Sequence, residues 1–219
     1  MRRIVFPPVE TATEDGLVAI GGDLEVDTLI TAYQQGIFPW PISLEHPLAW
    51  FSPNPRGILE LSELHLSKSF SKFLKKNPYQ VTFNQSFSEV INQCAQTYRK
   101  DQHSTWITPY IIEGYEKLFK QELAYSVEVW EDSELIAGLY GVCMGDFVSG
   151  ESMFTKEDNA SKYALYSLIL RLKDKGIHWL DTQMVTPVVE GFGGKYISRP
   201  EFLQMLSKKD WTRKRSEIF

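Results

Sequence analysis

The chain has 219 residues and a formal net charge of −5, long enough to bury a sizeable core as one large domain or one domain with a small appendage, without disulfide staples. The acidic balance argues against a generally basic nucleic-acid coat but leaves room for a local patch. No run approaches the ~20 apolar residues of a membrane span. Met1-Arg2-Arg3-Ile4-Val5-Phe6-Pro7-Pro8 reaches two prolines before an apolar segment of signal length can form, and the two cysteines, Cys94 and Cys143, read as buried free thiols. A cytoplasmic protein of a reducing compartment is expected.

Residues 1–60 are rich in Gly and Pro and end in Trp50-Phe51-Ser52-Pro53-Asn54-Pro55-Arg56, a composition of short elements joined by tight turns. Within them Val26–Gln35 predicts a short helix with Leu29, Ile30 and Tyr33 on one face, stopped at Gly36. The rest of the segment reads as loop and strand. In the run from Ser67 to Lys76, Lys68, Lys72, Lys75 and Lys76 fall at i, i+4, i+7 and i+8, so a helix gathers them along one face and turns Phe70, Phe73 and Leu74 elsewhere. By spacing alone this stripe is either a solvated face or a polyanion surface. Tyr79–Phe83 alternates as a strand, and Ser86 with Glu89 forms a capping box that opens a helix through Tyr98. Thr108-Pro109 supplies a cap and a first-turn proline for a helix to Leu123.

Three strands follow, Ala124–Trp130, Leu135–Cys143 and Phe147–Ser152, with connections so short that they imply an antiparallel meander. Ala160–Lys175 is an apolar-faced helix ended by Gly176, Ile177–Thr182 a buried strand, and Glu201–Ser207 a helix after Arg199-Pro200. A second basic cluster, Lys208, Lys209, Arg213, Lys214 and Arg215, reads as a frayed solvated tail. The order β-α-α-β-β-β-α-β-α is that of an α+β protein, a mixed sheet with helices against it.

His46, His65, His103 and His178 are isolated and neither cysteine belongs to a CxxC or Cys/His cluster, so no metal site is expected. There is no GxxxxGK[ST] loop, no GxGxxG and no G-x-S-x-G elbow; Gly150-Glu151-Ser152 has no histidine assigned to activate its serine. An acid and an amide remain. Gly150-Glu151-Ser152-Met153-Phe154 and Leu180-Asp181-Thr182-Gln183 each carry polar groups into an apolar frame, and a carboxylate buried there must be paired, hydrogen-bonded or neutralised. Trp40, Trp50, Trp106 and Tyr115 sit in or beside turns or at the start of a helix, where aromatic rings pack in the core, line a cleft or stack on bases.

Six segments in order, Gly16–Leu24, Ala32-Tyr33-Gln34-Gln35-Gly36-Ile37-Phe38-Pro39-Trp40, Trp50–Arg56, Thr105-Trp106-Ile107-Thr108, Gly138-Leu139-Tyr140-Gly141-Val142 and Gly150–Phe154, resemble the leucyl/phenylalanyl-tRNA–protein transferases. The likeness continues through Asn159-Ala160-Ser161-Lys162 and the Asp181-x-Gln183 strand end. It implies an enzyme that moves Leu or Phe, and less readily Met, from aminoacyl-tRNA to a protein beginning with Arg or Lys, marking it for N-degron proteolysis. It also implies a small N-terminal domain (1–60) joined to a GNAT-like catalytic domain (61–219) and no metal or organic cofactor; a monomer is the default expectation. An aminoacyl ester is already activated, so orienting an amine against it suffices for much of the rate, and no covalent nucleophile is required.

The resemblance places Gln183 at the reacting centre with Asp181 behind it. On this reading the Gln183 carbonyl accepts from the attacking amine, Asp181 polarises or orients the amide, and Glu151 positions an amino group; proton transfer through the ribose hydroxyl of the tRNA terminus stands as an equal alternative. Tyr33, Trp40, Trp106 and Tyr115 match aromatic positions around the terminal adenosine and aminoacyl group. Met153, Leu180 and the apolar face of helix 160–175 are the expected pocket walls, and Lys68, Lys72, Lys75 and Lys76 the expected tRNA surface.

The chain departs from the family after Gln183. Where relatives show an Asn and a His and then a Ser-Leu-Gly-Ala turn, Met184–Gly194 reads Met-Val-Thr-Pro-Val-Val-Glu-Gly-Phe-Gly-Gly, with Val188 at the His position and Pro187 stiffening the turn. The departure bears on acceptor choice or donor preference, with N-terminal Asp or Glu as the alternative acceptors, and leaves Glu151, Asp181 and Gln183 untouched. An acyl-CoA enzyme would need an [RQ]-x-x-G-x-[GA] loop, which is absent. A tRNA-dependent aminoacyltransferase of cell-wall peptides and a catalytically silent RNA binder are the other rivals.

Overall fold

A computed structural model describes residues 5–41, 48–97 and 106–219. The start at Met1–Ile4, His46, His103, Thr105 and the expected helix end at Tyr98 lie outside them. The N-terminal part holds a three-stranded antiparallel sheet of β1 (Leu17–Ile20), β2 (Phe38–Pro39) and β3 (Ala49–Phe51) in the order β1-β3-β2, crossed by helix α1 (Val26–Gln34). Trp50 anchors it, buried and donating from Nε1 to the Gly21 carbonyl at 2.9 Å.

Strand β4 (Arg56–Glu60) then leaves this sheet and becomes the middle of another, in which its partners come from the far end of the chain: β10 (Trp179–Gln183) on one edge and β11 (Lys195–Ile197) on the other. Between them lie α2 (Lys68–Leu74), β5 (Gln80–Phe83), α3 (Phe87–Gln96), α4 (Pro109–Lys120), β6 (Ala124–Glu131), β7 (Glu134–Met144), β8 (Phe147–Val148), β9 (Ser152–Thr155) and α5 (Ala160–Asp174). Short α6 (Pro187–Gly191) precedes β11, and α7 (Arg199–Leu206) follows it. Strands β5-β6-β7-β8 form a sheet whose paired strands are antiparallel, and β9 pairs with the first half of β7. Helices α3 and α5 pack on β7, so the protein is α+β as its element order predicts.

Local chemistry explains the boundaries. Thr108 Oγ1 accepts from the Ile111 amide at 3.2 Å and so caps α4 as expected. The box expected at Ser86 and Glu89 does not form. Their side chains meet each other at 3.2 Å, while the Ser86 amide donates to the buried Glu128, which also accepts from the Thr82 and Ser126 hydroxyls. Buried α5 residues Ala164, Leu168, Ile169 and Leu172 tie that helix to the sheet, each large apolar side chain contributing roughly 1.5–3 kcal/mol. Among the described residues no helix is long and apolar enough to cross a membrane.

Two further expectations change. The strand expected at 147–152 divides into β8 and β9, because Ser149 and Gly150 turn towards β10: Ser149 bridges Asp181, and the Gly150 amide donates to the Asp181 carbonyl at 2.8 Å. The basic C-terminal segment is not a frayed tail. Arg215 is half-buried against the Phe119 ring and donates to the Phe119 and Ala124 carbonyls, Arg213 donates to Asp146 and the Lys175 carbonyl, and Phe219 stacks on Tyr125 at 4.7 Å.

Candidate active site

The bridge between Ser149 and Asp181 joins the two main sheets, and the two sequence segments with buried polar groups meet at that seam. Gly141 makes the approach possible, since a Cβ there would overlap the Ser149 carbonyl. On the other side β10 bulges at its end: Asp181 pairs with Ile58, but Gln183, not Thr182, pairs with Gly57. Gln183 takes a left-handed φ of +54°, rare for a residue with a side chain and characteristic of positions held by their surroundings. Gly57 leaves room for the crossing chain, because a Cβ there would stand 2.6 Å from the Met184 carbonyl carbon.

Glu151 is the centre of the resulting cluster. Its Oε1 accepts from Ser149 Oγ at 2.6 Å and from Gln183 Nε2 at 3.1 Å, and its Oε2 accepts from the Tyr115 hydroxyl at 3.3 Å. The Tyr33 hydroxyl lies 2.5 Å from that of Tyr115, extending the chain into the core. Burial pushes the Glu151 carboxyl above its ordinary 4.5; the Ser149 and tyrosine hydrogen bonds oppose the rise and the charge of Asp181 adds to it. Burial first, and the Glu151 charge second, hold both tyrosines well above their ordinary 10. At neutral pH they are donors and not bases. The Gln183 amide, giving its N–H to Glu151, aims its carbonyl oxygen away from that carboxylate.

Beside the cluster opens a cavity of about 370 Å³, within the size range of small-molecule sites. Leu139, Met153, Leu165, Leu168 and Leu180 form apolar walls from β7, β9, α5 and β10, while Glu151, Thr182 and Gln183 supply polar atoms. Trp40 and Trp106, stacked at 5.6 Å between ring centroids, line it from the N-terminal side. The divergent segment contributes Met184, Thr186, Val188 and Val189, with α6 capped by Thr186 Oγ1 and opened by Pro187, where the sequence suggested a turn.

Thus Glu151, Gln183, Trp40, Trp106, Met153 and Leu180 share one cavity. Tyr33 and Tyr115 do not present faces to it: both are buried and reach the site through their hydroxyls alone, in place of the stacking expected of them. Asp181 also stays behind the wall. Its carboxylate receives Arg56 Nε at 2.9 Å and Nη2 at 2.7 Å, and the Gln183 backbone amide at 3.0 Å, so it meets Gln183 through the main chain and not through the side-chain amide as expected. Arg56 and Ser149 escaped the sequence reading as site residues. The signal for Arg56 was a lone arginine opening the apolar run Ile58-Leu59, which has to be paired if buried. Away from the cavity, Lys68, Lys72, Lys75 and Lys76 are all exposed on α2 and the turn after it, while Phe70 is buried against Tyr166 and Phe192.

An apolar cavity ending on a carboxylate–amide pair suits an enzyme that grips an apolar group and acts on polar atoms next to it, and comparison with known proteins places the chain among the aminoacyltransferases. The family model described as leucyl/phenylalanyl-tRNA protein transferase matches residues 58–207, and that of its N-terminal domain residues 22–54. The leucyl/phenylalanyl-tRNA–protein transferase of Flavobacterium johnsoniae is 46% identical over 94% of this chain and 97% of that protein. The one from Pseudomonas fluorescens is 44% identical over 94% and 91%. The chain belongs to the leucyl/phenylalanyl-tRNA–protein transferase family. Two solved structures are similar remotely: L-PGS from Bacillus licheniformis, at TM-score 0.40 and 11% identity over 72% of this chain and 50% of that one, and a ribosomal-protein-alanine N-acetyltransferase from Brucella melitensis biovar Abortus, at 0.34 and 11% over 61% and 95%. Those likenesses are too distant to bear on the chemistry.

Proposed function

We propose that the protein moves leucine or phenylalanine, and less readily methionine, from its tRNA to the N-terminal Arg or Lys of an acceptor protein, marking the acceptor for N-degron proteolysis. The observation that carries this reading is the apolar cavity closed by Glu151 and Gln183. The aminoacyl side chain occupies the space between Met153, Leu165, Leu168 and Leu180, and the terminal adenosine lies at the Trp40–Trp106 pair. Such a pocket separates apolar side chains by only ~1–3 kcal/mol per methylene, so a narrow group of donors is accepted.

The Gln183 carbonyl accepts a hydrogen bond from the incoming α-amine, whose nitrogen attacks the ester carbonyl carbon. The bond to the ribose oxygen breaks, and the proton leaving the amine ends on that oxygen. Glu151 holds the Gln183 amide and offers its negative charge to an amino group. Lys72, Lys75 and Lys76, with Phe73 and Pro78, frame a surface depression of about 460 Å³ suited to the phosphates of the tRNA backbone, contacts that give affinity without reading sequence. The protein acts as a cytoplasmic monomer made of an N-terminal unit, expected to run to residue 60, and a catalytic unit that already takes β4 into its sheet. The divergent residues Thr186, Val188 and Val189 line the cavity itself, which favours an effect on donor preference ahead of acceptor choice.

Purified protein incubated with labelled Leu-, Phe-, Met- or Arg-tRNA and peptides beginning with Arg, Lys, Asp or Glu tests the reading. Label should pass from Leu- and Phe-tRNA to the Arg and Lys peptides. No transfer to either would overturn it, and transfer to the Asp and Glu peptides alone would reassign the acceptor.

A further inference from the structure

We infer that Arg56 is a positioning residue for the transfer reaction, fixing the direction of the Gln183 amide through Asp181 and the main chain of β10. The inference rests on the reading of Gln183 as the residue that meets the attacking amine. Neither Arg56 nor the Asp181 carboxylate lines the cavity, so their hydrogen-bonded route to it runs through Gln183, beside the charge that Asp181 exerts on Glu151. The route is short: Asp181 Oδ1 accepts from both Arg56 Nε and the Gln183 backbone amide, at 2.9 and 3.0 Å.

The guanidinium is itself held on all sides. Nη2 donates to Asp181 Oδ2 at 2.7 Å and Nη1 donates to the Gly36 carbonyl at 3.0 Å, just past the end of α1. The rings of Phe38 and Phe202 lie 4.8 and 4.4 Å from its central carbon, and the residue is 1% exposed. A planar fork so gripped fixes the carboxylate plane as well as its position, which the single point charge of a lysine cannot do. The backbone amide of Gln183 is thereby pinned at the bulge where its φ is +54°, and the side chain leaves the strand in the direction that brings Nε2 within 3.1 Å of Glu151. Arg56 therefore draws α1, β4, α7 and β10 together behind one amide.

The test compares Arg56→Lys in the native chain and in a Gln183→Ala background, reading kcat and KM for aminoacyl-tRNA with an Arg-initiated peptide, and the melting temperature. Residual transfer in the Gln183→Ala background, sustained by substrate orientation, is followed in single-turnover experiments. Arg56→Lys should lower kcat on the order of 10- to 100-fold with KM unchanged, and should cause no further loss once Gln183 is gone, because the two act as a unit. An equal loss in both backgrounds, a change in KM alone, or an undiminished kcat in the native chain would overturn the role of Arg56. Full kcat in Gln183→Ala alone would instead overturn the reading of Gln183, and this inference with it. Should Arg56→Lys fail to fold, Phe202→Leu, which loosens the guanidinium without touching its hydrogen bonds, is judged by the same comparison.

Discussion

Replacing Lys72, Lys75 and Lys76 together by Gln tests the tRNA surface at little cost to the fold. All three side chains are exposed, and among the described residues none takes part in an ion pair. Helix α2 keeps its N-cap, Ser67 Oγ accepting from the Phe70 amide at 3.2 Å, and its buried Phe70. Removing the Lys72 charge from the last turn gives up a helix-dipole interaction of about 0.3–1 kcal/mol, so melting should shift little. Each phosphate that goes without its lysine lowers the slope of log affinity against log salt by ~0.9 for duplex, so the triple variant should flatten the slope by between about 2 and 3 units. Over a rise from about 50 to about 200 mM salt, its affinity would then fall roughly 40-fold less than that of the native chain. Fluorescence anisotropy with labelled tRNA across a KCl series measures this. A folded triple variant with the native slope would refute the assignment, and Lys68→Gln, placed outside the depression, should change the slope least.

Glu151→Gln reports on the half-buried carboxyl at the cavity. Its folded value lies above the ordinary 4.5, so the folded state holds the proton more tightly than the unfolded chain, and this stabilisation is complete below the ordinary value and lost as pH rises through the raised one. The melting temperature of the native protein relative to Glu151→Gln should therefore decline as pH rises from the ordinary carboxylate value, and a pH-independent difference would contradict the burial argument. Leu168→Ala empties part of one cavity wall: unfolding should cost about 2–5 kcal/mol less, and kcat/KM for Phe-tRNA should rise relative to Leu-tRNA; an unchanged ratio would remove this wall from the donor pocket. Arg215→Ala removes the guanidinium's hydrogen bonds to the Phe119 and Ala124 carbonyls and its cover of the Phe119 ring, and denaturant titration should show a loss of about 1–3 kcal/mol, whereas a solvated tail would lose nothing measurable.

The helices and the meander were legible because their information is local. Cap, first-turn proline and apolar period mark α4 within a few residues, and the same period marks α5. Glu151 and Gln183 were legible as polar intrusions, and the structure brings them together at one cavity. What stayed hidden is non-local. The partners Arg56 and Asp181 stand 125 residues apart, and no spacing rule connects them. The division of the strand at 147–152 depends on β10 drawing Ser149 and Gly150 aside, which the period-2 pattern of one strand cannot report. Ser86 carries a cap signature, but the buried Glu128 offers its amide a carboxyl oxygen as acceptor, so tertiary structure overrides the local motif. The basic tail misled for a related reason: Arg215 neutralises carbonyl dipoles and covers the Phe119 ring, neither visible from composition.

The position of β4 has a consequence for synthesis. Its two edges are taken by β10 and β11, so while a ribosome is still translating the middle of the gene, Ile58 and Leu59 belong to a strand with both ladders unfilled. Unpaired apolar edges of that kind are sites of mispairing between neighbouring chains. Loop closure across more than a hundred residues is slow compared with forming the β6–β7 hairpin, so the central sheet can mature while β4 still waits. The cavity wall supplied by β10 is then completed late, when that strand docks and brings Asp181 to Arg56. Chains stalled before that step would carry β4 as an unpaired apolar strand open to mispairing.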